Sequence, residues 1–397
     1  MDLTSYDKLI DQIAQNLHDG TIKPSDLNAD LVEKTYADLS DGARAGVGKK
    51  WETQYKKEGE DTLVTSLKKN LYTFASAKTF AQLETLNKML YSQDGKLRPF
   101  NEYSQLARKV NAQYNNNKLQ AEHQTAKTAG QMAIKWQRIQ RDKDLFPNLK
   151  YRTIGDERVR DEHAALNGTV KPVDDPFWST HYPPNGWRCR CNVVQTAEDA
   201  TTDKITTQPN PVFEGNVATD EVIFSKKHQY FQLLNTDKRA QKNAELMKLN
   251  APKETLYKNG KHSVTASIYH DKKDFVDNFQ SAKIIVDNLK VNIEIRAHID
   301  GWIVNGYKSP EYLINGKFAD RKAPLNKSYK KVLSKANGQE CDIVVIDLGV
   351  NNDSIESAEK SINHILKNEN IHKFISEIII ISKDGKDVKY YKRKKQP

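Results

Sequence analysis

The sequence predicts a multidomain chain: a mainly α-helical N-terminal region, an irregular module rich in Cys, His and Trp, and an α/β C-terminal domain. Three observations predict it. Apolar residues recur at helical spacing through residues 1–150, as in Leu9, Ile10, Ile13 and Leu17 and again in Leu83, Leu86, Met89 and Leu90. Residues 151–195 abandon that spacing for a loop dense in Pro, Trp, His and Cys. From about Leu256, apolar runs of strand length alternate with helical ones. A length of 397 residues suits two or three domains.

Composition bounds the function classes. Hydrophobic residues make up 37%, with a mean hydropathy of −0.77, and no run reaches the roughly 18 apolar residues of a membrane-spanning helix. The start, Met1-Asp2-Leu3-Thr4-Ser5-Tyr6, lacks the basic and apolar regions of a secretory signal. Of three cysteines, two fall in Cys189-Arg190-Cys191, which makes no disulfide framework. The expectation is a chain made and folded in a reducing cytoplasm, without membrane insertion. Net charge is +10, and residues 251–397 hold 26 Lys and Arg against 19 Asp and Glu. That third therefore carries most of the excess and suits a polyanionic partner.

In the first 150 residues, Glu102 to Arg141 is Ala-, Gln- and Lys-rich with few breakers. It reads as one long helix or a helical pair broken at Asn115-Asn116-Asn117. No catalytic constellation stands out, and a packing or assembly scaffold is expected. In the next module, Asp156 can cap a helix to about Leu166, ended by Asn167-Gly168. Asp156, Arg160 and His163 would then share one face. A loop follows through Asp175-Pro176-Phe177-Trp178 and His181-Tyr182-Pro183-Pro184-Asn185-Gly186-Trp187-Arg188-Cys189-Arg190-Cys191. His163, Cys189 and Cys191, with Asp156 or His181, offer a zinc ligand set. Equally, His163 could hydrogen-bond the loop while the thiols pack as small apolar groups. Either way the role is to pin the loop to the helix.

The blocks Tyr151-Arg152-Thr153, Asp156 to Arg160, His163 to Gly168, Asp175 to Trp178 and Pro183 to Cys191, in that order, resemble the phage Mu F-like family of minor head proteins. The resemblance extends more weakly to Phe74-Ala75-Ser76-Ala77-Lys78, Asn210 to Asn216 and Phe224 to Tyr230. It implies a minor component of the capsid interior or portal vertex, with portal and capsid proteins as partners. Residues 1–150 would be the head- or portal-associated helical region, and 151–250 the module and its linker. Residues 196–260 are polar, with Thr201 to Lys204 and Thr206 to Pro211 read as loop, Lys226 to Leu249 as a helix, and Asn250-Ala251-Pro252-Lys253 as the junction.

The C-terminal domain, 256–397, reads as strand Val264–Tyr269, helix Asp274–Leu289, a half-buried strand Val291–Ile299, a hairpin, a buried strand Ile343–Leu348, a helix Ser354–Leu366, and a closing hairpin around Asp384-Gly385. The central hairpin lies in Ser309-Pro310-Glu311-Tyr312-Leu313-Ile314-Asn315-Gly316-Lys317-Phe318-Ala319-Asp320-Arg321-Lys322. Asn-Gly between apolar runs signals a type I′ turn. Pairing from that turn sets 314 against 317, 313 against 318, 312 against 319, and Glu311 opposite Asp320. Opposed Cβ atoms lie about 4.5–5.5 Å apart. Lys322 shares Asp320's face. Two acids and a lysine at one point suit a divalent-metal site beside a charge stabiliser.

These residues resemble the PD-(D/E)xK nuclease core, read here as Pro310-Glu311, a hairpin, then Asp320-Arg321-Lys322. Glu and Asp are exchanged relative to the commoner pattern. Within that superfamily the resemblance is to C-terminal tRNase domains of contact-dependent inhibition toxins. It implies Mg²⁺ or another divalent ion held by Glu311 and Asp320, with Lys322 orienting water or stabilising charge. It also implies a third acid from the preceding helix, Asp277 with Asp274 behind it. His298, Lys308, Lys327 and Lys330 would contact substrate, with Lys331, Lys335 and the run Lys392-Arg393-Lys394-Lys395 as further phosphate contacts. The expected function is a phage minor head protein carrying a metal-dependent tRNase toxin. It would sit in the virion and act in the host cytoplasm, with a cognate immunity protein as a further partner. DNA is the alternative substrate. A structural head protein whose C-terminal domain binds DNA or portal without catalysis is the alternative function.

Overall fold

The computed structural model describes residues 3–52, 62–202, 205–367 and 372–393. Asp203, Lys204, Lys394 and Lys395 lie outside the described residues. The chain divides into two compact units that meet in sequence between Ala244 and Glu245.

The first unit opens with helices α1 (Leu3–His18), α2 (Ala29–Val47), α3 (Thr62–Met89), α4 (Phe100–Asn111) and α5 (Leu119–Asp142). The predicted helical stripe of α1 is buried at Ile10, Ile13 and Leu17. α2 begins where the Asn28 side chain accepts the Leu31 N–H at 2.9 Å, an N-cap worth about 1 kcal/mol. α2 and α5 touch backbone to backbone: a Cβ on Gly130 would sit 2.8 Å from the Ala43 carbonyl oxygen. Gly130→Ala is therefore expected to cost about 1–3 kcal/mol in a denaturant titration. A wild-type midpoint would show that the two helices can part without loss.

Of the two readings of 102–141, the unbroken helix is the nearer, and no break falls at Asn115–Asn117. The backbone runs from α4 to α5 through a π-helical stretch, Ala112–Lys118. The Tyr114 carbonyl, which accepts the Leu119 N–H across the widened turn, also accepts Lys78 Nζ at 2.9 Å. Lys78 and Glu122, both buried, form an ion pair there. Lys78→Met would leave Glu122 buried and uncompensated, an expected loss of about 3–5 kcal/mol in denaturant unfolding. The double variant Lys78→Met with Glu122→Leu should recover most of it.

A small antiparallel sheet follows, ordered β2-β1-β3, from β1 (Asn148–Arg152), β2 (Val170–Pro172) and β3 (Asn192–Thr196). Only one helical turn, α6 (Asp161–Ala164), lies between β1 and β2, and Asp156 is not its cap. Asp156 instead pairs with Arg190 through hydrogen bonds of 2.6 and 2.7 Å, a partner 34 residues away. Asp156, Arg160 and His163 therefore do not share a helical face. The single helix expected over 226–249 is two: α8 (Gln229–Leu234) and α9 (Lys238–Met247), preceded by the turn α7 (Val217–Asp220). The Asp237 carboxylate accepts the Ala240 N–H at 2.9 Å and starts a new helix.

His228 caps α8, its Nδ1 accepting the Tyr230 N–H at 3.2 Å. Burial, with the Lys78 and Lys118 charges nearby, holds its pKa down to about 4 from 6.5. The unfolded chain thus binds more protons between these values. Stability supplied by neutral His228 is present above pH 6.5 and is lost as pH falls towards 4. His228→Asn, which keeps the cap, should flatten that part of the melting-temperature profile; an unchanged slope would place it elsewhere.

The second unit is an eight-stranded mixed sheet ordered β11-β10-β9-β8-β7-β6-β5-β4. Its elements in chain order are β4 (Lys253–Asn259), β5 (His262–Ser267), α10 (Phe275–Leu289), β6 (Ile293–Ile295), β7 (Tyr312–Ile314), β8 (Lys317–Lys322), α11 (Tyr329–Gly338), β9 (Ile343–Asp347), α12 (Ile355–Leu366), β10 (Glu377–Ile381) and β11 (Val388–Lys392). The strand expected over 291–299 is regular only at 293–295. Beyond it the backbone changes partners, Arg296 N–H donating to the Glu311 carbonyl and His298 N–H to the Tyr269 carbonyl, each at 2.9 Å. One face, with Tyr312, Ile314, Ala319, Ile343 and Val345, packs on α10. The other, with Val344, Ile346, Ile378 and Ile380, packs on α11 and α12.

Candidate functional site

The predicted hairpin has the predicted register: Tyr312 pairs with Ala319, Leu313 with Phe318 and Ile314 with Lys317. Asn315 and Gly316 take φ of 45° and 84°, the left-handed pair a type I′ turn needs. Ala319 faces α10, so strand alternation turns Asp320 and Lys322 to the α11–α12 side. Glu311 lies one residue before β7, yet its side chain meets β8: Oε2 accepts the Arg321 N–H at 3.0 Å. Lys322 Nζ is 2.5 Å from Asp320 Oδ2 and 3.8 Å from Glu311 Oε1.

The trio is held under electrostatic tension. Asp320 is 1% exposed. Its Oδ2, although close to the Lys322 ammonium, has no aligned hydrogen-bond donor. Burial, then a hydrogen bond and charge repulsion from Asp320, push the Glu311 carboxyl up to about 8 against the pull of Lys322. Two carboxyl groups therefore share a partly dry site that leaves one of them protonated near neutral pH. A buried carboxylate oxygen whose neighbour is an ammonium, beside a second carboxyl, fits a hard cation, which would displace that proton.

The other expected residues are not all drawn in. α10 covers the opposite face, and Asp277, with Asp274, stands exposed on it; neither joins the pair. His298 is exposed and lies beyond the end of β6. Lys308 and Lys330 are exposed, and Lys327 pairs with Asp353 at 3.0 Å.

Arg296 was not singled out by its sequence context. It lies across from Glu311, its N–H on the Glu311 carbonyl, with its guanidinium 4.5 Å from the Phe318 ring centroid. The Pro310 carbonyl and the Tyr307 hydroxyl hold that guanidinium at 3.1 and 3.3 Å. On the α10 face Arg321 binds Asp347 at 2.8 Å and Ser281 at 2.7 Å. Burial raises the Asp347 carboxyl, but Ser281, the Gly349 N–H and Arg321 outweigh it and hold it low. This network ties β8 to β9 and α10, so it steadies the strand that carries Asp320 and Lys322.

In the first unit His163, Cys189 and Cys191 are buried together, their ligand atoms within 4.8 Å of one another. His163 Nδ1 lies 3.8 Å from Cys189 Sγ and 3.6 Å from Cys191 Sγ. Zinc–sulfur and zinc–nitrogen bonds of about 2.3 and 2.0 Å at a tetrahedral angle require a separation of about 3.6 Å. A hydrogen bond from Cys191, aided by His163, pulls the Cys189 thiol down to about 4 despite burial, while Cys191 is raised. The expected fourth ligands are occupied elsewhere. Asp156 binds Arg190, and both His181 ring nitrogens are engaged, by Thr180 Oγ1 at 2.7 Å and the Thr207 carbonyl at 3.1 Å.

Residues 100–194 match the family described as phage Mu protein F like protein, and residues 308–386 match the contact-dependent growth inhibition CdiA C-terminal domain. The chain is 56% identical over 50 residues to the putative capsid assembly protein F of Escherichia phage Mu, covering 13% of this chain and 11% of that protein. It is 38% identical over 76 residues to the Mu-like prophage FluMu F protein of Haemophilus influenzae, covering 19% and 18%. The aligned parts thus span under a fifth of these relatives. Among solved structures, the CdiA-CT/CdiI toxin and immunity complex from Burkholderia pseudomallei aligns at 19% identity with a TM-score of 0.24, covering 30% of this chain and 85% of that one. Among the described residues, no helix is long and apolar enough to cross a membrane.

Proposed function

From a chain that joins a phage Mu F-like segment to a CdiA C-terminal-type segment, we propose a phage head protein that carries a metal-dependent nuclease toxin acting on tRNA. The observation that supports the catalytic half is half-buried Glu311 against buried Asp320, with Lys322 paired to the Asp320 carboxylate. The arrangement fits the PD-(D/E)xK pattern of two acids and a lysine at one hairpin. Glu311 and Asp320 would hold Mg²⁺ or a similar divalent ion. Such an ion lowers the pKa of a bound water and neutralises phosphoryl charge. Lys322 would orient the attacking water and balance charge developing on the phosphoryl oxygens. Arg296, fixed over Phe318, offers its remaining N–H donors to a non-bridging phosphate oxygen. Exposed His298, Lys308, Lys327 and Lys330 would follow the backbone of tRNA; DNA would meet the same chemistry.

On this reading residues 1–150 form the head- or portal-associated region, 151–250 the Mu F-like module and linker, and 256–397 the nuclease. His163, Cys189 and Cys191 would hold zinc and fasten the loop to β1 and α6. Portal and capsid proteins would be partners in the virion, with action in the host cytoplasm after delivery. A nuclease made in its own producer's cytoplasm also calls for an immunity protein. The reading is tested by inducing the full chain in bacteria and resolving their RNA on a gel. Growth arrest with shortened tRNA is expected, and Asp320→Ala should relieve both. Arrest with intact tRNA and broken DNA would change the substrate; unimpaired growth with intact nucleic acids would overturn the reading.

A further inference from the structure

The His163–Cys189–Cys191 cluster has a property that fastening a loop does not require. A tetrahedral zinc takes four donors, and structural sites draw all four from the chain. Among the described residues, no fourth His, Cys, Asp or Glu joins these three. Asp156 and His181 are bonded elsewhere, and Glu162, next to His163 in α6, is exposed. The Tyr151 hydroxyl, beside Cys191, donates to Asn185 Oδ1 at 2.8 Å, and burial keeps it protonated. Cys191 N–H donates to Cys189 Sγ at 3.5 Å, which steadies one sulfur without supplying another ligand.

A hollow of about 20 Å³ lies against all three side chains. That is room for about one water-sized group. Arg158, Arg160, Arg188 and Arg190 also line it, and no acidic residue does. Asp156 offsets part of that charge, pairing with Arg190 at 2.6 Å and Arg158 at 3.5 Å. Arg160 donates instead to the Trp187 carbonyl at 2.7 Å, which orients a guanidinium without neutralising it. Gly186 lets Arg160 and His163 approach one space: a Cβ there would sit 3.0 Å from Arg160 Nη1 and 3.6 Å from His163 Cε1. Two thiolates and a neutral imidazole cancel the double charge of zinc, so the arginines leave the local field positive. Resting on the reading that these three residues hold zinc, we propose that the fourth position of the centre is open and takes a small anion from solution, with Arg160 as the anion's second contact. The centre is then a binding site for a small anionic ligand as well as a clasp for the loop.

The test uses the full chain carrying Asp320→Ala to spare the producing cell, with its zinc exchanged for Co²⁺ and azide as the probe. The thiolate-to-cobalt absorption band reports that Cys189 and Cys191 hold the metal, and the ligand-field bands report the fourth donor. Azide should shift the ligand-field bands to saturation at one per cobalt while the thiolate band persists. Adding Arg160→Gln keeps a donor for the Trp187 carbonyl but removes the charge. It should weaken azide by about tenfold with cobalt still bound, the loss of one charge-assisted hydrogen bond. Arg160→Lys should recover part of that affinity, which a role confined to holding the loop would not predict. Ligand-field bands that azide leaves unmoved would overturn the proposal while the metal reading stands. Equal azide affinity in Arg160→Gln and its parent would overturn the contact assigned to Arg160. Absence of the thiolate band would overturn the metal reading itself, and the proposal with it.

Discussion

Alanine at position 320 is expected to lower nucleic-acid cleavage by about 10³-fold or more, and Lys322→Ala by about 10²–10³-fold. Asp320 supplies the buried oxygen that has no aligned donor, and on the proposed reading its loss would remove one of the two carboxylates that would hold the cation. Lys322 supplies the positive charge nearest that point. The two effects should not add, because on the proposed reading both residues would serve one reacting phosphate. Stability separates this outcome from unfolding. Asp320→Asn keeps the shape and removes the repulsion that adds to burial in raising Glu311. In EDTA its melting temperature should therefore equal or exceed that of the wild type, the exchange of stability for activity common at strained sites. A melting temperature lowered in step with activity would mean the pair is structural.

The second large effect concerns the His163–Cys189–Cys191 cluster. Chain purified without chelator should carry close to one zinc by elemental analysis, and Cys189→Ser should carry little. Binding at about a thousandfold excess over Kd stabilises a fold by about 4 kcal/mol, which for a unit of this size raises its melting temperature by roughly 10 °C. Chelation of the wild type should reproduce the loss, and Cys189→Ser should show no further drop with chelator. Full stability after complete zinc removal would assign the three side chains to packing and hydrogen bonding alone.

What could be read from the sequence was what local chemistry decides. Asn315-Gly316 carries its turn type in two residues, and the register from it brought Glu311, Asp320 and Lys322 together without knowledge of anything else in the fold. The stripe of α1 and the helices around it followed from spacing. Distant partners defeated the same reasoning elsewhere. Asp156 has the sequence context of a helix cap, but Arg190 takes its carboxylate. Asn115 to Asn117 look like a break, but a π-helical turn absorbs them and turns a carbonyl towards Lys78. Asp277 was a reasonable third acid by position along the chain; which sheet face α10 covers depends on the whole topology. Arg296 reads as one polar residue on a strand, and its place beside the acids appears only once Glu311 lies across from it. The Arg321–Asp347–Ser281 network joins three elements, and no short window contains it.

Metal-dependent cleavage by the Glu311–Asp320–Lys322 trio is tested by the rate at which the purified full chain cuts bacterial tRNA across a Mg²⁺ titration, with EDTA as the zero point and Asp320→Ala beside it. The predicted result is cleavage that rises with Mg²⁺ to saturation, vanishes in EDTA and is absent from the variant at every concentration. Cleavage that persists in EDTA, or that Asp320→Ala performs as well as the wild type, would contradict it.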